Sequence, residues 1–270
     1  MNIFQPKDLT EALRLLSSGA RPMAGCTNLL VNFHKTGEPE GDFADLSPLE
    51  ELKGIRPEKD AVRVGALCTF AELSSALGAF PHLNALARAA AEMGSPQVRN
   101  RATVGGNICD ASPACDSGPA LLVLNAALTL RSEEGERTLG IDDFFRGVRK
   151  TALLPGELLT SLRIPTQGGR SVFRKVGLRG AMAISLVSLA AAEGSDGALR
   201  LAMGSVSDRP VRLFACEQAL REGRTGDLPA ALEQDISPIG DIRATREYRM
   251  ETAARLLADL LEKEFGYELR

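Results

Sequence analysis

Residues 103–116 read TVGGNICDASPACD, and the fold follows from what this stretch can hold. Gly105 and Gly106 permit a tight turn, or the close approach of a flat ring system. Thr103 and Asn107 place small donors and acceptors beside them, suited to a phosphate, a polyol or backbone. The Asp116 carboxylate is a poor partner for phosphate, but it can accept the hydroxyl hydrogens of a ribose. Ser112–Pro113 suits a turn that closes the segment. The combination fits a dinucleotide better than an isolated phosphate.

A second stretch of the same kind lies upstream: AGCTNLL, residues 24–30. Gly25 accepts backbone angles that side-chain-bearing residues resist. Successive N–H groups in such a turn can form a concave anion site, and a helix starting there adds positive potential. AGCTNLL could therefore hold a pyrophosphate. A glycine turn before a helix is common as plain structure, so the reading rests on the two stretches together. Fingerprints of other sites are missing. There is no GxGxxG, no GxxxxGK followed by Ser or Thr, and no GxSxG. The two histidines, His34 and His82, sit in no metal-binding spacing.

The rest of the chain sets the frame. Its 270 residues suffice for a substantial core and two domains. A composition 44% hydrophobic and 25% charged is that of a globular protein. The net charge of −3, with signs mixed along the chain, offers no basic field for nucleic acid. The start, MNIFQPKDLTEALRLL, lacks the pattern of a secretory leader. The longest apolar run, ISLVSLAAA at 184–192, is too short to cross a bilayer. A cytoplasmic protein without a membrane span is expected. Five widely spaced cysteines argue against a disulfide framework, and the Cys109–Cys115 spacing matches no usual cluster motif, so no metal site is expected.

Periodicity predicts mixed α and β structure. Asp8 caps a helix, with Glu11 reciprocating, over Leu9, Ala12, Leu13 and Leu16. A short strand leads into AGCTNLL and then helix, and residues 43–49 return to strand and loop. AVRVGAL at 61–67 reads as a strand, followed by a Thr69–Glu72 capping box and a helix. Another helix runs from about Pro81 to Met93. GSPQVRNRATVGGN is a poor helix and is expected to turn. PALLVLNAALTLRSEEGERTL reads as a helix into a hairpin, IDDFF as a short helix, and LLTSLRIP as a strand stopped by Pro165. TQGGR at 166–170 is the best domain boundary. Beyond it, strands and turns precede helices around 211–221 and 246–264.

These motifs give the chain a family resemblance. AGCTNLL, RNRATVGGNICDASPACD, PGELLTSLRIP at 155–165, FRKVGLRGAMAIS at 173–185 and DIRATREYRMETAARLLADLL at 241–261 resemble the FAD-binding medium subunit of the molybdenum hydroxylase and xanthine dehydrogenase family, and are similar to the carbon monoxide dehydrogenase medium subunit. The resemblance implies an α+β fold. A two-part FAD-binding domain of the vanillyl-alcohol oxidase-like (PCMH) type would span 1–168, with subdomains of about 1–54 and 55–168. A small α+β domain would follow over 169–270. It implies FAD wrapped by both glycine stretches, with contacts at Ala24, Gly25, Cys26, Thr27, Asn28 and Leu29 and at Thr103, Gly106, Asn107 and Ile108. Asp116 would lie near the adenosine ribose, Leu158 and Leu159 near the flavin ring, and Lys175 at the flavin's polar end. There are departures. Cys26 stands for a glycine, Met93 for an aromatic in some relatives, and Met182 for a common acid.

The resemblance further implies a division of labour. A large subunit would carry a molybdenum cofactor and a small one two 2Fe–2S clusters, assembled as a dimer of heterotrimers. This chain would receive electrons from the clusters and pass them to NAD+ or another acceptor, with no catalytic acid or base of its own. Two other readings stay open: a free-standing FAD-dependent reductase or oxidase, and an assembly subunit that has lost FAD.

Overall fold

The computed structural model describes residues 1–37, 40–78, 80–166 and 168–269. Gln167, inside the expected boundary segment, lies outside the described residues. Helices and strands alternate, in three main sheets.

The first sheet is parallel. Strands Asn2–Phe4 and Arg21–Met23 flank Asp42–Asp45, joined through helices Leu9–Ser17 and Leu29–Thr36. Asp8 does cap the first helix, accepting from the Glu11 amide. Glu11 does not reciprocate to the Asp8 backbone: its Oε2 takes the Lys7 amide at 2.8 Å. The apolar stripe Leu9, Ala12, Leu13 and Leu16 is buried against Ala44, Leu46, Leu49, Leu52, Leu67 and Leu158.

The second sheet is antiparallel, in the order Ile55–Pro57, Ala61–Gly65, Leu158–Pro165, Ala127–Ser132, Gly135–Gly140. Its central strand, Leu158–Pro165, is buried over most of its length because helices cover one face. Those helices include Phe70–Leu77, Asn84–Glu92 and Ser117–Val123. The Thr69–Glu72 capping box forms in both directions: the Thr69 amide donates to Glu72 Oε2 at 2.7 Å and the Glu72 amide to Thr69 Oγ1 at 3.2 Å. Such a cap contributes about 1 kcal/mol.

The segment expected to turn is instead helical in two places, Pro96–Arg99 and Val104–Asp110. Ser95 and Thr103 cap them, each accepting an amide three residues on. Two adjacent glycines disfavour a helix by about 1 kcal/mol each. The Val104–Asp110 helix forms because carbonyls outside it take its first amides.

The third sheet pairs Ser171–Gly177, Ser185–Glu193, Leu199–Gly204 and Val211–Arg212 antiparallel. Strand Ser185–Glu193 is covered on both sides, which is why its interior is apolar on both faces apart from Ser188. Ala190 and Ala192 join the core of the first 165 residues. Val187, Leu189 and Ala191 face a separate core with helices Phe214–Arg221, Leu228–Asp235 and Arg246–Phe265. The C-terminal sheet is thus a shared wall between two cores. Helix Leu228–Asp235 was not foreseen. Pro229 reads as a breaker, yet it stands in the first turn, where its missing N–H costs nothing.

Candidate functional site

The two glycine stretches touch. A Cβ on Gly25 would lie 1.8 Å from the Arg101 carbonyl oxygen and 3.1 Å from Ala102 Cα. Only glycine lets residues 24–29 pack on the chain entering the Val104–Asp110 helix. Cys26 follows with φ +59°, in the left-handed region that a glycine would occupy freely. Burial, and then the nearby Asp45 carboxylate, push its thiol pKa up. Asn28 Nδ2 donates to Asp110 Oδ1 at 2.6 Å, and Arg149 Nη1 donates to the same oxygen at 2.5 Å. These side chains clasp the first stretch to the end of the helix.

Main-chain hydrogen bonding separates the two stretches. Among the described residues, the amides of Gly25, Cys26, Thr27, Asn28 and Leu29 have no acceptor. Val104 and Gly105, by contrast, donate to the carbonyls of Cys68 and Ala66, both at 2.9 Å. Gly106 donates to Thr103 Oγ1 at 3.1 Å and Asn107 to the Thr103 carbonyl at 3.0 Å. A Cβ on Gly105 would come within 2.7 Å of Ala66, so this glycine serves packing. Among the described residues, the amides of 104–107 are therefore all taken, whereas those of 25–29 are not. The second stretch offers side chains. Asn107 Oδ1 accepts from Ser117 Oγ at 2.7 Å and Cys115 Sγ at 2.9 Å, which leaves Nδ2 without an acceptor among the described residues. Ile108 is wholly buried in the core and is not among the residues that line the cleft.

Asp116 and Lys175, expected at opposite ends of the cofactor, are paired. Lys175 Nζ donates to Asp116 Oδ2 at 2.5 Å, and both side chains are over nine-tenths buried. They belong to one place. Lys175, on strand Ser171–Gly177, also approaches the Glu92 carbonyl at 3.4 Å and stands behind Asp116 rather than in the cleft wall. Asp116 Oδ1 is buried without a partner among the described residues. Burial pushes the Asp116 pKa up to about 6, although Lys175 pulls the other way.

All of this borders one cleft of about 870 Å³, within the ~300–1,000 Å³ usual for small-molecule and cofactor sites. Ala24 through Leu29, Thr103, Gly106, Asn107, Asp116, Leu158 and Leu159 line it. So do Met93 and Met182, the latter with φ +53°. Sequence reasoning missed Asp110, Arg149 and Arg243. Asp110 and Arg243 lie within quoted motifs, at 103–116 and 241–261, without being singled out there, while Arg149 had no local signal. A second hollow, about 480 Å³ beside Gly54, Cys68 and Glu72, is mainly apolar and gathers no converging donors.

Comparison with known proteins agrees with this layout. Residues 1–167 match the model of the FAD binding domain in molybdopterin dehydrogenase, and residues 172–263 that of the CO dehydrogenase flavoprotein C-terminal domain. The xanthine dehydrogenase FAD-binding subunit of Escherichia coli O157:H7 is 33% identical over 257 residues, covering 90% of this chain and 88% of the relative. The carbon monoxide dehydrogenase medium chain of Afipia carboxidovorans is 30% identical over 96% of this chain and 94% of its own. The carbon monoxide dehydrogenase structure from Hydrogenophaga pseudoflava superposes with a TM-score of 0.90 at 26% identity, covering 98% and 97% of the two chains. The chain belongs to the family of FAD-binding domains of molybdopterin dehydrogenases, joined to a CO dehydrogenase flavoprotein C-terminal domain.

Proposed function

We propose that this chain is the FAD-carrying electron-transfer subunit of a molybdenum-containing hydroxylase or dehydrogenase. It accepts electrons from 2Fe–2S clusters of a small partner and passes them to NAD+ or another acceptor. A large partner, carrying the molybdenum cofactor, oxidises the organic substrate. The whole works in the cytoplasm as a dimer of heterotrimers.

The observation that carries the reading is the pairing of two unmet demands across one cleft. Five consecutive amides lack acceptors at 24–29, and a buried carboxylate oxygen lacks a donor at Asp116. A buried polar atom left unpaired, such as Asp116 Oδ1, costs roughly 1–3 kcal/mol, and the half-exposed amides of 25–29 are free to donate to a ligand. FAD supplies both kinds: anionic diphosphate oxygens for the amides, and hydroxyl or ring N–H donors for the carboxylate. When bound, the flavin supplies the one- and two-electron chemistry. The residues of the chain do the rest. The 24–29 backbone fixes the diphosphate, Asn107 Nδ2 and the Thr103 hydroxyl add donors, and Leu158 and Leu159 keep water from the floor. Lys175 holds Asp116 Oδ2, so that Oδ1 faces its donor.

The test is FAD titration of the flavin-free chain, followed by flavin fluorescence, together with isolation of the native complex. Stoichiometric FAD, with iron–sulfur and molybdenum subunits in the same complex, supports the reading. FAD in a chain that oxidises an organic substrate alone favours a free-standing flavoprotein. A folded chain that takes up no FAD favours an assembly role.

A further inference from the structure

The C-terminal sheet and helices reach the cleft at two points, Met182–Ile184 and Arg243. Arg243 lies on the segment between helices Leu228–Asp235 and Arg246–Phe265, and that segment is braced. Asp241 Oδ1 accepts the amides of Arg243 and Ala244, at 2.9 and 3.2 Å, and Arg249 Nη2 at 2.8 Å. Asp241 Oδ2 accepts Arg243 Nη1 at 2.8 Å. Arg249 is buried, and its Nη1 donates to the carbonyls of Leu186 at 2.6 Å and Ser205 at 3.1 Å. Leu186 stands two residues beyond Ile184. One hydrogen-bonded truss therefore fixes both parts of the C-terminal region that border the cleft. Burial would raise the Asp241 pKa, but the donors of Arg243, Ala244 and Arg249 bring it down to about 2, so the brace stays charged at working pH.

The brace uses only Nη1 of Arg243. Its Nε and Nη2, the edge suited to bidentate contact with a phosphate or carboxylate, have no acceptor among the described residues. The other charges around the cleft are committed: Arg149 to Asp110 and Lys175 to Asp116. Arg21 lies over the Phe43 ring. The cleft is bordered by three arginines and two aspartates.

We infer that Arg243 binds a phosphate oxygen at the C-terminal rim of the cleft, aimed by Asp241 and Arg249. The phosphate belongs either to the flavin dinucleotide in the cleft or to a pyridine dinucleotide that docks against it. This rests on the reading of the cleft as a flavin site. The probes are FAD, titrated into the flavin-free chain by fluorescence, and NADH, titrated into the FAD-loaded chain by difference absorbance. Arg243→Gln is expected to weaken one of the two about tenfold or more. The loss shrinks at high salt, and Arg243→Lys recovers part of it. A weakened FAD titration assigns the contact to the flavin, a weakened NADH titration to the acceptor. Asp241→Asn, which keeps the guanidinium but cuts its anchors, gives a smaller loss in the same titration. Both dissociation constants within about twofold of the parent, in a variant that melts like the parent, overturn the inference alone. A parent chain that binds no FAD removes the underlying reading as well.

Discussion

The two glycine stretches have similar composition and opposite construction. In 24–29 the glycine at 25 lets the backbone lie flat on Arg101, and the following amides are left open to the cleft. In 103–107 the glycine at 105 lets a helix press on Ala66, and every amide from Val104 to Asn107 is spent inside the protein. The first stretch presents open backbone donors. The second is a buttress that sets Gly25 and the side chains of Thr103 and Asn107 in place. Glycines beside a cofactor site need not touch the cofactor, and the destination of their amides tells which do.

The comparison breaks first at Gly25. Gly25→Ala puts a methyl into the Arg101 carbonyl, and a loss of about 3 kcal/mol or more is expected in denaturant unfolding, with loss of FAD uptake. Near-parental stability would show that the two stretches do not meet as described. The next effect is pH-dependent. The Asp116 pKa in the folded chain is raised to about 6 from 3.8. Without cofactor, its contribution to stability is fully present below about pH 4 and is lost as pH rises through about 6, up to about 3 kcal/mol. A donor bound at Oδ1 favours the carboxylate, so FAD affinity runs the other way, full above about pH 6 and weakening below it. Asp116→Asn should flatten both profiles, measured by thermal melts and FAD titration from pH 4 to 8. A parent-like pH profile in that variant would mean that another group titrates.

Smaller changes sharpen the contrast. Thr103→Ala removes the cap on Gly106 and should cost about 1 kcal/mol in unfolding free energy, with Thr103→Ser restoring it. FAD affinity should fall as well, because the hydroxyl is also one of the proposed donors; unchanged stability in Thr103→Ala would show that the cap does not hold the helix. Cys26→Gly relieves the left-handed backbone while loosening the unfolded chain. The two effects nearly offset, leaving stability within about 1 kcal/mol of the parent and FAD binding intact. A large drop in FAD affinity would give the Cys26 side chain a role of its own.

Much of this was legible where the deciding interactions are local. The Thr69–Glu72 box spans three residues, and the stripe from Leu9 to Leu16 repeats within one helix, so both could be read in place. The Val104–Asp110 helix could not. Its glycines argue against a helix, and the carbonyls that stabilise it come from Cys68 and Ala66, far back in the chain. The Asp116–Lys175 pair joins positions 59 apart, so the residues were identified but set at opposite ends of a ligand. Arg243 stood in the quoted 241–261 stretch, but its place at the cleft depends on Asp241, Arg249 and two distant carbonyls.

The amino-acid order alone determined the run of helices and strands, the apolar faces and the two glycine stretches, because caps, alternation and backbone freedom act over a few residues. Only the folded chain decided which amides stay open, which carboxylate oxygen lacks a partner and which arginine faces the cleft. Those outcomes depend on what acceptor or donor arrives from elsewhere in the chain, and a hydrogen bond already made inside the protein is one that no ligand can have.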